Sequence, residues 1–238
     1  MDSPRRLRRA NLVLIKLKGN YLVTIRLSSG GPAPRKRLGA AERRELIEHA
    51  ATEVFAKRGY QDTTMEEIAR CSGVSVPVLY DHFESKQALH GRLLERHFAG
   101  LRAAWGPELL GKGDADQRIA RTIDALFAFV QAQPYACRLL FRESSGDSEA
   151  AAIHRRAAAQ SWDLVLQTLS GQIGAENLAS AHGLVMVGEI LRTGLQGLAL
   201  WWSENPRVPR TEVVDAAMNV LWTGLERMRN GQLWNSSE

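Results

Sequence analysis

The chain has 238 residues, 45% of them hydrophobic and 24% charged, with a net charge of +5. That is the composition of a folded globular protein and excludes a fibrous or low-complexity one. Two cysteines, Cys71 and Cys137, with no CxxC partner suit a reducing compartment and exclude a disulfide framework, and both are expected to be buried and inert.

Residues 1–38 stand apart. They hold ten Lys and Arg against one Asp, a local charge of +9, so the remainder is net negative at −4. The cluster Arg5, Arg6, Arg8 and Arg9 precedes an apolar stretch of only four residues before Lys16, with no small-residue cleavage site, which argues against a secretory signal. Leu12–Leu17 and Tyr21–Leu27 are β-prone and could close through Lys18-Gly19-Asn20, pairing Val13 with Ile25, Ile15 with Val23 and Leu17 with Tyr21. A lone hairpin is marginal in water, so an arm without stable structure, or a segment foreign to the native protein, is the competing reading. Ser28–Pro34 reads as a linker, followed by the basic run Arg35-Lys36-Arg37.

From Ala41 the period becomes helical. Ile47, Ala50, Ala51, Val54 and Phe55 make one apolar stripe, ended by Gly59. Thr64 and Glu67 form a capping box before a second helix that stops at Gly73. Ser75 caps a third short helix with Pro77 in its first turn, and Ser85 a fourth that reaches about Trp105, before Gly106-Pro107. Further helices are expected at Ala115–Gln133, Pro134–Glu143, Ser148–Ile173, Ala175–Glu204 and Thr211–Asn230. The longest charge-free run, Ala125–Cys137, has 13 residues and is too short to span a bilayer. The expected architecture is all-α and cytoplasmic, with no membrane partner.

The stretch Met65–Glu84 carries the functional signal. Two helices meet at a sharp turn with Ala69 small where they cross, Gly73 where positive φ is cheap, and Leu79 with Ile68 and Val74 as the wedge. This Ala-x3-Gly-x5-Leu spacing is that of a DNA-binding helix-turn-helix, although ordinary helical hairpins can mimic it. The run Gly73–Leu89 (GVSVPVLYDHFESKQAL), with Phe55-x3-Gly59-Tyr60 and Thr63-Thr64-x3-Ile68-Ala69 before it, closely resembles the DNA-binding domain of the TetR (tetracycline repressor) family. The resemblance is strong over Arg43–Arg96 and extends to Trp201-Trp202-x-Glu204-Asn205-Pro206 before the final helix.

The resemblance implies three parts. They are an N-terminal extension (1–38) that departs from the family pattern, a three-helix DNA-binding domain (39–90), and a larger helical effector-binding and dimerisation domain (91–234). The third helix would enter the major groove. Val76, Pro77 and Val78 would face bases, offering only methyl contacts to thymine, while Thr64, Ser75, Tyr80, His82 and Lys86 would lie along the phosphates. Residues 39–100 hold eight bases and ten acids, so the basic arm is expected to add sequence-independent attraction. The last two helices, with Gly183, Gly188, Gly194 and Gly197 on one and Val213, Ala217, Leu221 and Leu225 on the other, would make a homodimer on palindromic operator DNA.

Phe127, Tyr135, Phe141, Trp162, His182 and Glu189 are the candidate pocket for a small-molecule effector, with Arg138 and Arg142 available to an anion. Aromatics at helical spacing serve a core equally well. The function implied is a repressor released from its operator by that effector. Catalytic motifs such as GxSxG, a P-loop, GxGxxG and HExxH are missing, and the six histidines include no i,i+3 or i,i+4 pair, so no enzyme chemistry, cofactor or metal is expected. An architectural nucleoid protein, and a regulator of the same fold that activates or binds a protein co-factor rather than a ligand, remain alternatives.

Overall fold

The structure, a computed structural model, describes residues 12–16, 22–26, 39–142, 148–172 and 182–232. It divides into two compact units, Met1–Gly39 and Ala40–Glu238. In the first, β1 (Leu12–Lys16) and β2 (Leu22–Arg26) pair antiparallel with Val13 opposite Ile25 and Ile15 opposite Val23, the register expected from the alternating sequence. The Leu17–Tyr21 pairing lies outside the described residues.

The second unit is all-α. Its elements are α1 (Ala40–Arg58), α2 (Met65–Ser72), α3 (Val76–His82), α4 (Lys86–Leu109), α5 (Ala115–Ala132), α6 (Pro134–Phe141), α7 (Ser148–Gln172) and α8 (Gly183–Glu204). α9 (Arg210–Ala217), a π-helical turn (Met218–Trp222) and α10 (Thr223–Arg229) follow without a break. Ala175, the expected start of the long apolar helix, lies outside the described residues.

Two differences from expectation have local causes. α4 does not stop at Trp105 but continues through Pro107 to Leu109. Proline removes one N–H there, and burial of Trp105, Gly106 and Leu109 holds the last turn in place. The final helix is not uniform: its π turn widens one loop, and both Leu221 and Trp222 then line the cavity described below.

The core begins with the stripe of α1, where Ile47, Ala50, Ala51, Val54 and Phe55 are all buried. It continues through Ile68, Leu79, Leu89 and Leu93, each fully buried and each contributing roughly 1.5–3 kcal/mol. A second cluster joins α5, α6, α8 and α9 around Phe127, whose ring meets Trp202 edge-on at 5.6 Å. Trp202 donates from Nε1 to the Val208 carbonyl at 2.8 Å, which fastens the α8–α9 loop. Cys137 sits in this cluster, and burial pushes its thiol up to about 12. Cys71, expected buried, is instead exposed, because Ile68 and Ala69 occupy the inward positions of α2.

α4 is continuous across residue 90, so the division drawn between reading head and effector domain falls inside one helix. Its first turns (Leu89, Leu93 and Leu94) are buried with the core of α1–α3, and its later turns pack against α5 and α7.

Candidate nucleic-acid interface and effector cavity

The α2–α3 turn has the geometry its residues require. Gly73 closes α2 at φ 73°, ψ 18°, in the left-handed region, and the N–H groups of Gly73 and Val74 both reach the Ala69 carbonyl. Thr64 accepts at Oγ1 from the Glu67 N–H at 3.2 Å, the expected N-cap. The reciprocal half of the capping box is missing, since the Glu67 carboxylate turns to Arg58 at 3.0 Å. Ser75 stands at the N-cap of α3, but its side chain makes no cap bond, which leaves the hydroxyl on the surface.

Thr64, Ser75, Pro77 and Tyr80 (47% exposed) are on the surface, and Val78 and His82 are half-buried. Val76 departs from expectation by packing against the core beside Leu79, because positions 76, 79 and 83 share the inward stripe of the short helix.

Lys86 is also placed differently. Its ammonium donates to the carbonyls of Tyr60 (2.9 Å), Thr63 (3.1 Å) and Gln61 (3.4 Å) and lies 4.4 Å from the centre of the Tyr60 ring. All three protons have acceptors in the α1–α2 turn, so without DNA Lys86 clamps this turn. Lys86→Met is therefore expected to lower stability by about 1.5–3 kcal/mol, the range for hydrogen bonds from a charged donor. Urea unfolding at neutral pH measures this. A melt that coincides with wild type would overturn the clamp.

Between the reading head and the rest lies a charged joint. Glu48 of α1 is 2% exposed and meets Arg44 at 3.2 Å, Arg92 at 3.5 Å, and Arg96 in a close pair. Burial pushes its carboxyl up, but the hydrogen bonds from Arg96 and Arg44 and the charges of Arg96 and Arg92 outweigh it and hold the pKa below the usual value. One helical turn away, Thr52 donates its hydroxyl proton to the Glu48 carbonyl at 2.8 Å and contacts His97 Nε2 at 3.0 Å. With its proton used, Thr52 must accept from Nε2–H, which selects that tautomer of a neutral imidazole. Burial, with the neighbouring Arg96 charge, pulls His97 down to about 4.

Beyond this joint a cavity of about 170 Å³ lies among α4, α5, α7, α8 and the final helix. Phe98, Leu101, Trp105 and Leu109 of α4 form one wall, and Leu191, Leu195, Leu221 and Leu225 another. Among the described residues, and apart from the tryptophan ring nitrogens, its polar side chains are Arg118 and Thr122 of α5 and Arg192 and Gln196 of α8.

Two of the expected pocket residues, Phe141 and Trp162, line this cavity. Phe127 is buried against Trp202 instead, and Tyr135 lies under the Lys57 ammonium at 5.3 Å. His182 is exposed at the start of α8, and Glu189 is exposed and paired with Arg192. Arg142 pairs with Glu204 at 3.0 Å, and neither it nor Arg138 reaches the cavity. Sequence reasoning missed Arg118 and Thr122. They sit one turn apart on α5, among the cavity-lining Ile119, Ile123 and Leu126, and polar residues interrupting an apolar face were the available signal.

On the outer side of α8 the large apolar side chains Val185, Met186, Ile190 and Trp201 are exposed, and Val220 of the π turn is 74% exposed. Among the described residues α8 is the helix long and apolar enough to cross a membrane, with 22 residues and mean hydropathy 1.2. It carries Glu189, Arg192 and Glu204 and packs on α6, α7 and α5. Among the described residues, no group of His, Cys, Asp and Glu is arranged to hold a metal.

Residues 47–93 match the family profile described as "Bacterial regulatory proteins, tetR family". Over 202 residues, covering 84% of this chain and 90% of the relative, the sequence is 32% identical to the HTH-type transcriptional activator FasR of Mycolicibacterium smegmatis. Two solved structures share the fold. A TetR-like transcriptional regulator from Rhodococcus sp. RHA1 superposes with a TM-score of 0.66 at 19% identity, covering 80% of this chain and 99% of that one. AibR, solved in complex with isovaleryl coenzyme A and operator DNA, does so with a TM-score of 0.61 at 17% identity, covering 76% and 98%. With the glycine turn, the buried wedge and this full-length relative together, the chain belongs to the TetR family of bacterial transcriptional regulators.

Proposed function

We propose that the protein is a homodimeric, sequence-specific regulator whose grip on operator DNA is set by an apolar effector in the α4–α10 cavity, acting as a repressor released when that effector binds. The observation that carries this reading is the continuity of α4. One rigid helix is buried with the reading head at Leu89 and Leu93 and forms the cavity wall at Phe98–Leu109. A ligand that displaces Trp105 moves the same rod on which the head is mounted. The exposed apolar side chains of α8 and Val220 supply a face that a second copy would cover, and a palindromic site needs two heads.

Among the described residues the lining is mostly carbon, which favours an effector with an aliphatic part, and AibR, of the same fold, was solved with isovaleryl coenzyme A. On the DNA face, Tyr80, Thr64, Ser75 and His82 would hold phosphates, and Pro77 and Val78 would meet bases. A second reading, activation rather than repression, has a specific support in the name of the M. smegmatis relative.

The test takes an operator selected from random DNA and measures its binding by fluorescence anisotropy with and without dodecanoyl coenzyme A. A change in affinity of about 5–150-fold is expected, the usual span of coupling between two sites. Unchanged affinity with saturating ligand, or failure to select any sequence, would overturn the proposal, and a reporter gene behind the operator gives the sign.

A further inference from the structure

Arg118 breaks the pattern of the cavity. It is half-buried among carbon, its Nε is shielded from solvent without an acceptor, and the hydrogen bond found for the group is a long one, from Nη1 to the Gly111 carbonyl at 3.5 Å. Other cationic groups nearby are engaged. Arg192 is held by Glu189 and Gln196, and Arg121 by Glu108 at 2.9 Å. A shielded guanidinium nitrogen without an acceptor is costly, and an anion brought by a ligand would remove that cost.

The position of Arg118 along the cavity follows from how α4 and α5 pair. A Cβ on Gly100 would sit 3.5 Å from the Phe129 ring, Glu108 bonds Arg121, and Gly111 bonds Arg118. As the α4 number rises the α5 number falls by the same amount, so the helices run antiparallel and Arg118 is level with Gly111, just past Leu109. Phe98 is at the opposite end of the α4 wall, about 16 Å away at 1.5 Å per residue. The Arg118 guanidinium therefore stands at one end of this wall and Phe98 at the other.

We infer that Arg118 is the anchor for an anionic head group, and that the effector is an amphipath lying head-outward at the α4–α5 turn with its aliphatic tail running along α4 towards Phe98. This rests on the reading of the cavity as the effector site. The head group is a carboxylate or a phosphate, either of which a guanidinium fork can accept.

The experiment titrates the full chain with dodecanoate, dodecanoyl coenzyme A and neutral dodecanol, following the fluorescence of Trp105, Trp162 and Trp222 on the cavity wall. Wild type is expected to prefer the anionic ligands over dodecanol by about ten-fold or more, one charge-assisted hydrogen bond's worth. Arg118→Gln should bring that ratio close to one, and Arg118→Lys should restore part of it. Loss confined to dodecanoate assigns a carboxylate to Arg118, and loss confined to the coenzyme A form assigns a phosphate. Equal affinities of wild type for all three, or a preference that survives Arg118→Gln, would overturn the anchor while leaving the apolar effector site standing. If none of the three binds wild type, the effector reading itself fails, and the anchor with it.

Discussion

If the protein is the homodimer proposed above, Ile190→Glu is expected to leave a folded monomer with much weaker operator binding. Ile190 is 66% exposed, midway along an outward face of α8 that also carries Met186 and Trp201, with Val220 exposed on the π turn. Within one protomer that side chain covers nothing essential, so the fold of a single chain should tolerate the change. In a dimer it would place two carboxylates in an apolar seam, each several kcal/mol unfavourable when desolvated. Separating the subunits removes the benefit of linking two half-sites, which is about 10²–10⁴ in affinity. Light scattering at micromolar concentration and operator titration measure both effects. A variant that stays dimeric would mean that α8 is not the seam.

The joint around Glu48 should dominate stability at acid pH. Glu48→Gln removes the charge that three arginines share while leaving Arg96 partly enclosed. The expected loss is about 3 kcal/mol, the low end for breaking a buried pair, because the arginines remain half in water. For a chain of this size that lowers Tm by roughly 6–12 °C.

Wild type should itself weaken in acid, in two steps. His97 has a folded pKa of about 4 against an ordinary 6.5, so between these values the unfolded chain takes a proton that the folded one refuses. Stability present above pH 6.5 is therefore lost as pH falls, by roughly 3 kcal/mol at pH 4. The Glu48 carboxyl is lowered too, so its contribution persists above the ordinary carboxylate pKa and disappears only as pH falls through its depressed folded value. Urea unfolding from pH 7 to pH 4 reads the first step, and carrying the series below pH 4 reads the second. His97→Gln should flatten the first step, and a wild-type curve level from pH 6.5 to 4 would refute the burial of a neutral imidazole.

Much of the reading head was legible because its constraints are local. The Gly73 turn, the small Ala69, the Leu79 wedge and the Thr64 and Ser85 caps each depend on residues within one or two turns, where spacing and geometry are nearly the same thing. The β1–β2 register was legible for the same reason, since alternation and a short loop leave few pairings. Even here the sequence misjudged the ends of interactions. Lys86 looked like a plain surface cation until the fold brought three carbonyls of the α1–α2 turn to it, and Val76 also packs in part against the core beside Leu79.

The effector half was legible only as helices. Its cavity joins Phe98 to Leu225 across the unit, and a helix periodic in apolar residues has the same sequence whether its stripe meets a neighbour or a void. So Phe127 and Tyr135, reasonable pocket residues by type, went to a core and to the α1–α6 contact, while Arg118 was overlooked because nothing near it in sequence says that its Nε has no acceptor. By itself the sequence determined the helical period, the caps and the DNA-reading turn, since these are settled over a few residues by backbone geometry. Only the tertiary structure decided where space was left unfilled and which charges were already paired, because both depend on partners that the chain brings together from tens to more than a hundred residues away.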